Sequence, residues 1–147
     1  MNRKVQTCMF AALVIAVGGC ELFFNLGQNR TSVRLVNNAD FTVEVDLYIS
    51  NEQDIPREVL TVLGDKLEFT LAPGESTSFM RDCDDLQAVV IDDANLRDSG
   101  FFEPDADTNV LRDDGDFDCG DTIVFTFDHS SAVTDFHINV EVIPGPP

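Results

Sequence analysis

Positions 41 to 50 decide most of what this chain can become. Phe41, Val43, Val45, Leu47 and Ile49 alternate with Thr42, Glu44, Asp46, Tyr48 and Ser50. A period of two with one apolar face is a half-buried strand, because successive side chains of an extended backbone point to opposite sides. The same period recurs upstream, where Val33 and Leu35 alternate with Ser32 and Arg34. It recurs near the end, where Ile123, Phe125 and Phe127 share one face, and Phe136, Ile138, Val140 and Val142 share another opposite His137, Asn139 and Glu141. Turn chemistry separates these runs at Asn37-Asn38-Ala39-Asp40 and Ala72-Pro73-Gly74-Glu75. Seven or eight short strands with frequent turns predict an all-β chain, an antiparallel β-sandwich of Ig-like type, with a closed barrel as second choice.

Between those anchors the reading is finer. Positions 33–36 and 43–49 are expected to pair as a hairpin around the Asn-rich turn. Residues 59–63 and 66–71 flank Gly64-Asp65 as a second hairpin, with a short helix over 57–63 as the competing reading. Residues 76–80 form a short strand with Phe79 inward. Leu86-Gln87-Ala88-Val89-Val90-Ile91 is apolar on both faces apart from Gln87, as in a centrally placed strand. Residues 92–121 are long, Asp-rich and interrupted by Gly100, Pro104, Gly115 and Gly120, with Phe101 and Phe102 expected to pin them to the core and Val110-Leu111 forming one more short strand. A stretch of that length is where a working surface is expected.

The first 20 residues carry a different message. Arg3 and Lys4 form a basic head, an apolar run covers 9–17, and Val17-Gly18-Gly19-Cys20 closes it. That order is a secretory signal. The run ends at Glu21, well short of the roughly 20 apolar residues a spanning helix needs. Val17-Gly18-Gly19-Cys20 resembles the lipobox of bacterial lipoproteins, with Val in place of the commoner Leu. The resemblance implies that Cys20 is acylated and that residues 1–19 are removed, leaving the chain held at a membrane without crossing it. The other reading is plain secretion, with cleavage elsewhere and Cys20 a bystander. The organisation expected is therefore a signal over 1–19, a tether over 20–31, a domain over 32–143 and a tail over 144–147. Leu22, Phe23, Phe24 and Leu26 in the tether would lie in the membrane interface or under the domain. Residues 33–37 and 43–49 also loosely resemble the first hairpin of small extracytoplasmic bacterial β-sandwich domains, a likeness that carries no catalytic motif.

Charge narrows the partners. The chain holds 27 acidic and 9 basic residues, and removal of the signal takes only Arg3 and Lys4, leaving a net −20. That charge disfavours nucleic acid and anionic head groups as partners, since both require basic residues to displace counterions. Of four cysteines, Cys8 lies in the signal and Cys20 is the lipid site. Cys83 and Cys119 remain as an even pair in an exported chain, so a disulfide is expected. No grouping of Cys and His has zinc-ligand spacing.

The acids offer one candidate metal site. Asp114, Asp116 and Asp118 alternate, as the first ligands of a calcium loop do, and Asp105, Asp107 and Asn109 repeat that spacing. In neither run does a glycine fall where the tight turn needs it, and no Glu closes the loop. A disulfide would bring Asp82 and Asp84 beside Asp116 and Asp118, where crowded carboxylates invite a cation. Against this stands a solvated acidic surface, which a composition this acidic generates unaided. Hydrolase signatures are missing, and a pocket joining Asp92, Asp93 and His129 would revive an enzyme with a non-standard acidic site. The expected function is a non-catalytic, lipid-anchored structural or protein-interaction module, periplasmic or at the cell surface, with another envelope protein as partner. The alternative is a calcium-dependent binding domain built on residues 105–121.

Overall fold

The computed structural model describes residues 29–97, 103–129 and 133–146. Cys20, the tether apolar residues, Phe101 and Phe102 lie outside the described residues. What is described is a two-layer β-sandwich. One sheet has the order β4-β1-β8-β9, built from β1 (Arg30–Asn37), β4 (Ser76–Asp82), β8 (Thr122–Asp128) and β9 (His137–Ile143). The other has the order β3-β2-β5-β6, from β2 (Val43–Ser50), β3 (Asp65–Leu71), β5 (Ala88–Leu96) and β6 (Asp105–Ala106), with β7 (Leu111–Arg112) also paired to β5. The expectation of a sandwich holds; two of its nine strands are only two residues long.

The alternation that predicted the strands also makes the core. Val33, Leu35, Val43, Val45, Leu47, Ile49, Ile123, Phe125 and Phe127 are buried between the sheets, joined by Val89 and Ile91 from β5. β5 is buried on both faces, since Ala88 and Val90 form a second cluster with Ile55 and Leu60 on the outer side. β9 closes one edge, so its apolar face is covered only in part and Val140 stays 40% exposed.

Three local readings change. The first hairpin does not form: β1 and β2 belong to opposite sheets, β1 pairing with β4 and β8, and β2 with β3 and β5. Asn37 explains the crossing. Its buried side-chain Nδ2 donates to the carbonyls of Phe41 at 2.8 Å, Leu71 at 2.9 Å and Ala72 at 3.1 Å, while Oδ1 accepts from the Ala39 amide at 2.9 Å. These bonds steer the chain from one layer to the other instead of back alongside β1. Second, residues Arg57–Leu63 are helix α1, the competing reading of that stretch. The β2 edge is already taken by β3, with Ile49 opposite Asp65, so residues 51–64 are free to coil over the outer face and bury Leu60 there. Third, the four-stranded sheet is not wholly antiparallel, because β1 runs parallel to β8.

The registers define two poles. At the tip lie the β1–β2 crossing, the Ala72–Glu75 turn with Gly74 at φ +74°, and the β8–β9 connection. At the base lie the start of β1, the ends of β2, β4 and β9, and the starts of β3, β5 and β8. A short 3-10 turn, Cys83–Asp85, links β4 to β5 there, and Cys83 is bonded to Cys119 with Cα atoms 5.5 Å apart.

Candidate functional site

A cleft of about 430 Å³ opens at the base, between the ends of β2 and β4, the start of β3 and the end of α1. Its walls are Ile49, Ser50, Asn51, Leu63, Gly64, Asp65, Arg81 and Asp85. Strand parity puts Arg81 in it. Phe79 and Arg81 stand two apart on β4, so both point to the inner side, opposite Val33 and the fully buried Thr31 of β1. Phe79 stacks on Phe69 of β3, ring centroids 5.8 Å apart at 11°. The Arg81 guanidinium lies 5.6 Å from the Phe79 centroid, a cation–π contact. Arg81 is half-buried, and the described residues place no carboxylate within ion-pair distance of it.

Gly64 shapes the cleft's edge. Its amide donates to the Leu60 carbonyl at 2.8 Å, and a Cβ there would come within 2.5 Å of that oxygen and 2.8 Å of the Ile49 carbonyl. Only glycine lets α1 end so close to β2. Beyond it, Val62 and Leu63 are 76% and 75% exposed, although both belong to a helix that elsewhere packs on the sheet.

The first described residue sits at this pole. The Asn29 carbonyl accepts a bond from the Cys83 amide at 3.1 Å, and Arg30 pairs with Asp82 at 2.8 Å. Asn29 therefore lies at the pole that carries the cleft.

The predicted acidic residues divide among several places. Asp82 is the partner of Arg30, and Asp84 is exposed on the 3-10 turn beside the disulfide. Asp105 pairs with Asn95 toward the tip, and Asp107 is held by Arg57 at 2.8 Å, together with Asp92 at 2.9 Å. Asp114, Asp116 and Asp118 stay at the base in a tight turn, Asp114 with φ +57°. There Asp116 accepts the Arg112 amide at 2.9 Å, and Asp121 accepts the amides of Asp118 at 2.8 Å and Gly145 at 2.9 Å. Asp116 and Asp121 thus fix the backbone of the turn and of the segment after β9. Among the described residues, no group of three His, Cys, Asp or Glu side chains is placed to hold a metal ion. Asp92, Asp93 and His129 are not brought together: Asp92 faces Arg57, Asp93 faces Asn95, and His129 lies at the tip, 5.8 Å from the Phe41 ring.

Sequence reasoning missed Asp113. It is 8% exposed, with Oδ2 accepting from Gln87 at 3.1 Å and Oδ1 buried with no partner. Burial, followed by the charge of Asp114, raises its pKa above the ordinary carboxylate value. It missed Arg81 as well. The signal was present, since the inward parity of the strand runs through Phe79 to Arg81, but a charged residue on an apolar face reads as the end of a strand.

No known protein family matches the sequence, and no curated protein matches it. Among solved structures, it is similar to the type VI secretion lipoprotein TssJ1 from Pseudomonas aeruginosa, with TM-score 0.49 and 16% identity over 81% of this chain and 99% of that one. It is also similar to a protein from Eubacterium rectale, with TM-score 0.42 and 17% identity over 82% and 93% of the two chains. Likeness at that level carries no functional inference. No helix among the described residues is long and apolar enough to cross a membrane.

Proposed function

We propose that this chain is a lipid-anchored, non-catalytic module on the extracytoplasmic side of a bacterial membrane, acting through protein or surface contacts. The observation that carries the reading is Val17-Gly18-Gly19-Cys20 at the end of an apolar run too short to span a bilayer. Support comes from the domain's entry point. Asn29 lies nine positions after Cys20, a span of at most about 30 Å when extended. A lipid on Cys20 would thus keep the base of the sandwich close to the membrane and turn the tip outward.

The test is the fate of Cys20. In a bacterial host fed an alkyne-tagged fatty acid, the wild-type chain is expected to take up label, lose 19 residues and partition into detergent. Cys20→Ser is expected to stay unlabelled and unprocessed. A wild-type chain cut at another position and recovered unlabelled in the aqueous phase would overturn the reading.

A further inference from the structure

We propose that the base cleft receives the head group of a zwitterionic phospholipid bearing a primary ammonium, drawn from the membrane to which the chain is anchored. The proposal rests on the lipid-anchored reading and adds a site to it. Arg81 supplies a half-buried guanidinium that no carboxylate of the described residues neutralises. A planar guanidinium of this kind takes a phosphate through two parallel N–H donors. Asp65 and Asp85 line the same cleft and are exposed, so they present acceptors for an ammonium's N–H groups. Ser50 and Asn51 add neutral hydrogen-bonding groups to the rim. One cation and two carboxylates around one opening match a ligand carrying both signs better than either sign alone.

Position selects the lipid as the source. The chain enters the domain at Asn29, which is bonded to Cys83, two residues from Asp85. The cleft therefore lies at the end of the molecule that a short anchor holds against the bilayer. Leu63 lines the cleft and is exposed, as is its helix neighbour Val62, so this end of α1 offers apolar side chains to the boundary between head groups and acyl chains. Net charge selects among lipids. A mature chain of −20 is repelled by an anionic leaflet, whereas a zwitterionic head group adds no net repulsion. An N–H-bearing ammonium can be shared by Asp65 and Asp85 through hydrogen bonds, which a choline cannot donate.

The experiment uses the full mature lipidated chain in nanodiscs and reads amide hydrogen exchange. Three bilayers are compared: phosphatidylcholine alone, phosphatidylcholine with phosphatidylethanolamine, and phosphatidylcholine with phosphatidylglycerol. Amides of residues 49–51, 63–65 and 81–85 are expected to exchange about tenfold more slowly with phosphatidylethanolamine, as for a site exposed to ten times its Kd of ligand. Amides of the 72–75 turn serve as the unaffected reference. Arg81→Gln, and separately Asp65→Asn with Asp85→Asn, are expected to erase the difference while leaving incorporation into discs unchanged. Equal exchange in all three bilayers, or protection by phosphatidylglycerol instead, would overturn the proposal. So would protection by water-soluble glycerophosphoethanolamine in detergent without protection by the lipid. Failure of the chain to enter discs at all would strike the anchor reading, a distinct result.

Discussion

The cations on the outer face of the five-stranded sheet and Arg81 at the base meet the same acid-rich surface in opposite ways. Lys66 bridges Asp46 at 2.9 Å and Glu68 at 2.7 Å; Arg97 bridges Glu44 at 2.7 Å and Glu103 at 2.9 Å; Arg57 bridges Asp92 and Asp107. Each is clamped by two carboxylates and ties neighbouring segments together. Hydrogen bonds to Glu68 and Asp46 push the Lys66 pKa up, and the bond to Glu44 does the same for Arg97. Arg81 has Asp65 and Asp85 in the same cleft but pairs with neither. Arg112, half-buried as well, has no carboxylate partner either but gives its guanidinium to the carbonyls of Gln53 and Ile55, so Arg81 differs in facing an open cleft. The outer cations are tied into the scaffold by carboxylates, whereas the Arg81 guanidinium has, among the described residues, only the Phe79 ring as its partner.

That contrast requires a base pole that is fixed in place, and the largest effect comes from loosening it. Reduction, or the double change Cys83→Ala with Cys119→Ala, opens a link across 36 positions. The chain-entropy estimate for such a loop is about 3–4 kcal/mol, so calorimetry is expected to show a melting temperature lower by roughly 10–20 °C. Base amides should lose protection before those of the tip. A loss below about 1 kcal/mol would mean that packing alone holds the base, and the cleft would need no covalent frame.

The tip has its own fastener, and the next effect belongs to it. Asn37→Ala leaves the carbonyls of Phe41, Leu71 and Ala72 and the Ala39 amide without their side-chain partner. Groups orphaned in a buried position cost the desolvation of each, so about 2–3 kcal/mol is expected by denaturant unfolding. Base-cleft protection should be unchanged, because the poles are joined only through the strands. A change near zero would show that water replaces the side chain at the tip.

The strands were legible in the sequence because period-two alternation survives wherever one face is buried, as in Phe41 to Ile49. Layer assignment was not. Asn37-Asn38-Ala39-Asp40 has the composition of a hairpin turn, and only the reach of the Asn37 side chain to Leu71 and Ala72, more than thirty positions away, reveals a crossing. The helix at Arg57–Leu63 was ambiguous for a related reason: Val59, Leu60, Val62 and Leu63 fit either period over so short a run. The acidic residues were legible as a list, but their distribution over the fold was not. Spacing put Asp105 and Asp107 beside Asp114 in kind, while the fold sends Asp107 to Arg57 on the outer face and keeps Asp114 at the base. A cleft assembled from four segments leaves no local signature, so Arg81, Asp65 and Asp85 could only be joined by the structure.

A smaller effect separates two kinds of base-pole acid by pH. Asp113 has a folded pKa above its unfolded value, because burial and Asp114 disfavour its charge. The folded state then holds a proton that the unfolded state releases first. The contribution is fully present below the ordinary carboxylate value and is lost as pH rises through the raised one. Asp113→Asn is expected to flatten that part of the stability–pH curve, measured by urea unfolding at steps from acid to neutral. Asp114→Asn should also lower the Asp113 pKa by removing its nearest like charge. An unchanged curve in Asp113→Asn would mean that the carboxyl finds solvent through local opening.

The smallest expected effect is the one that decides the comparison. Arg57→Gln removes two ion pairs that are one-third to two-thirds exposed, along with a bond to the Thr108 carbonyl at 2.5 Å. Exposed pairs contribute about 0–1 kcal/mol, so a modest loss that shrinks in high salt is expected. Arg81→Gln removes no ion pair. It keeps much of the aliphatic stem over Phe79 and takes a charge out of a half-buried setting, so its stability should stay within about 0.5 kcal/mol of wild type, with little response to salt. If Arg81→Gln instead costs as much as Arg57→Gln and is equally salt-sensitive, Arg81 is one more scaffold cation, bound to the acids of its cleft in solution. If it costs nothing, folding does not depend on a guanidinium at the mouth of the sandwich, and the exchange comparison in bilayers decides whether a head group does.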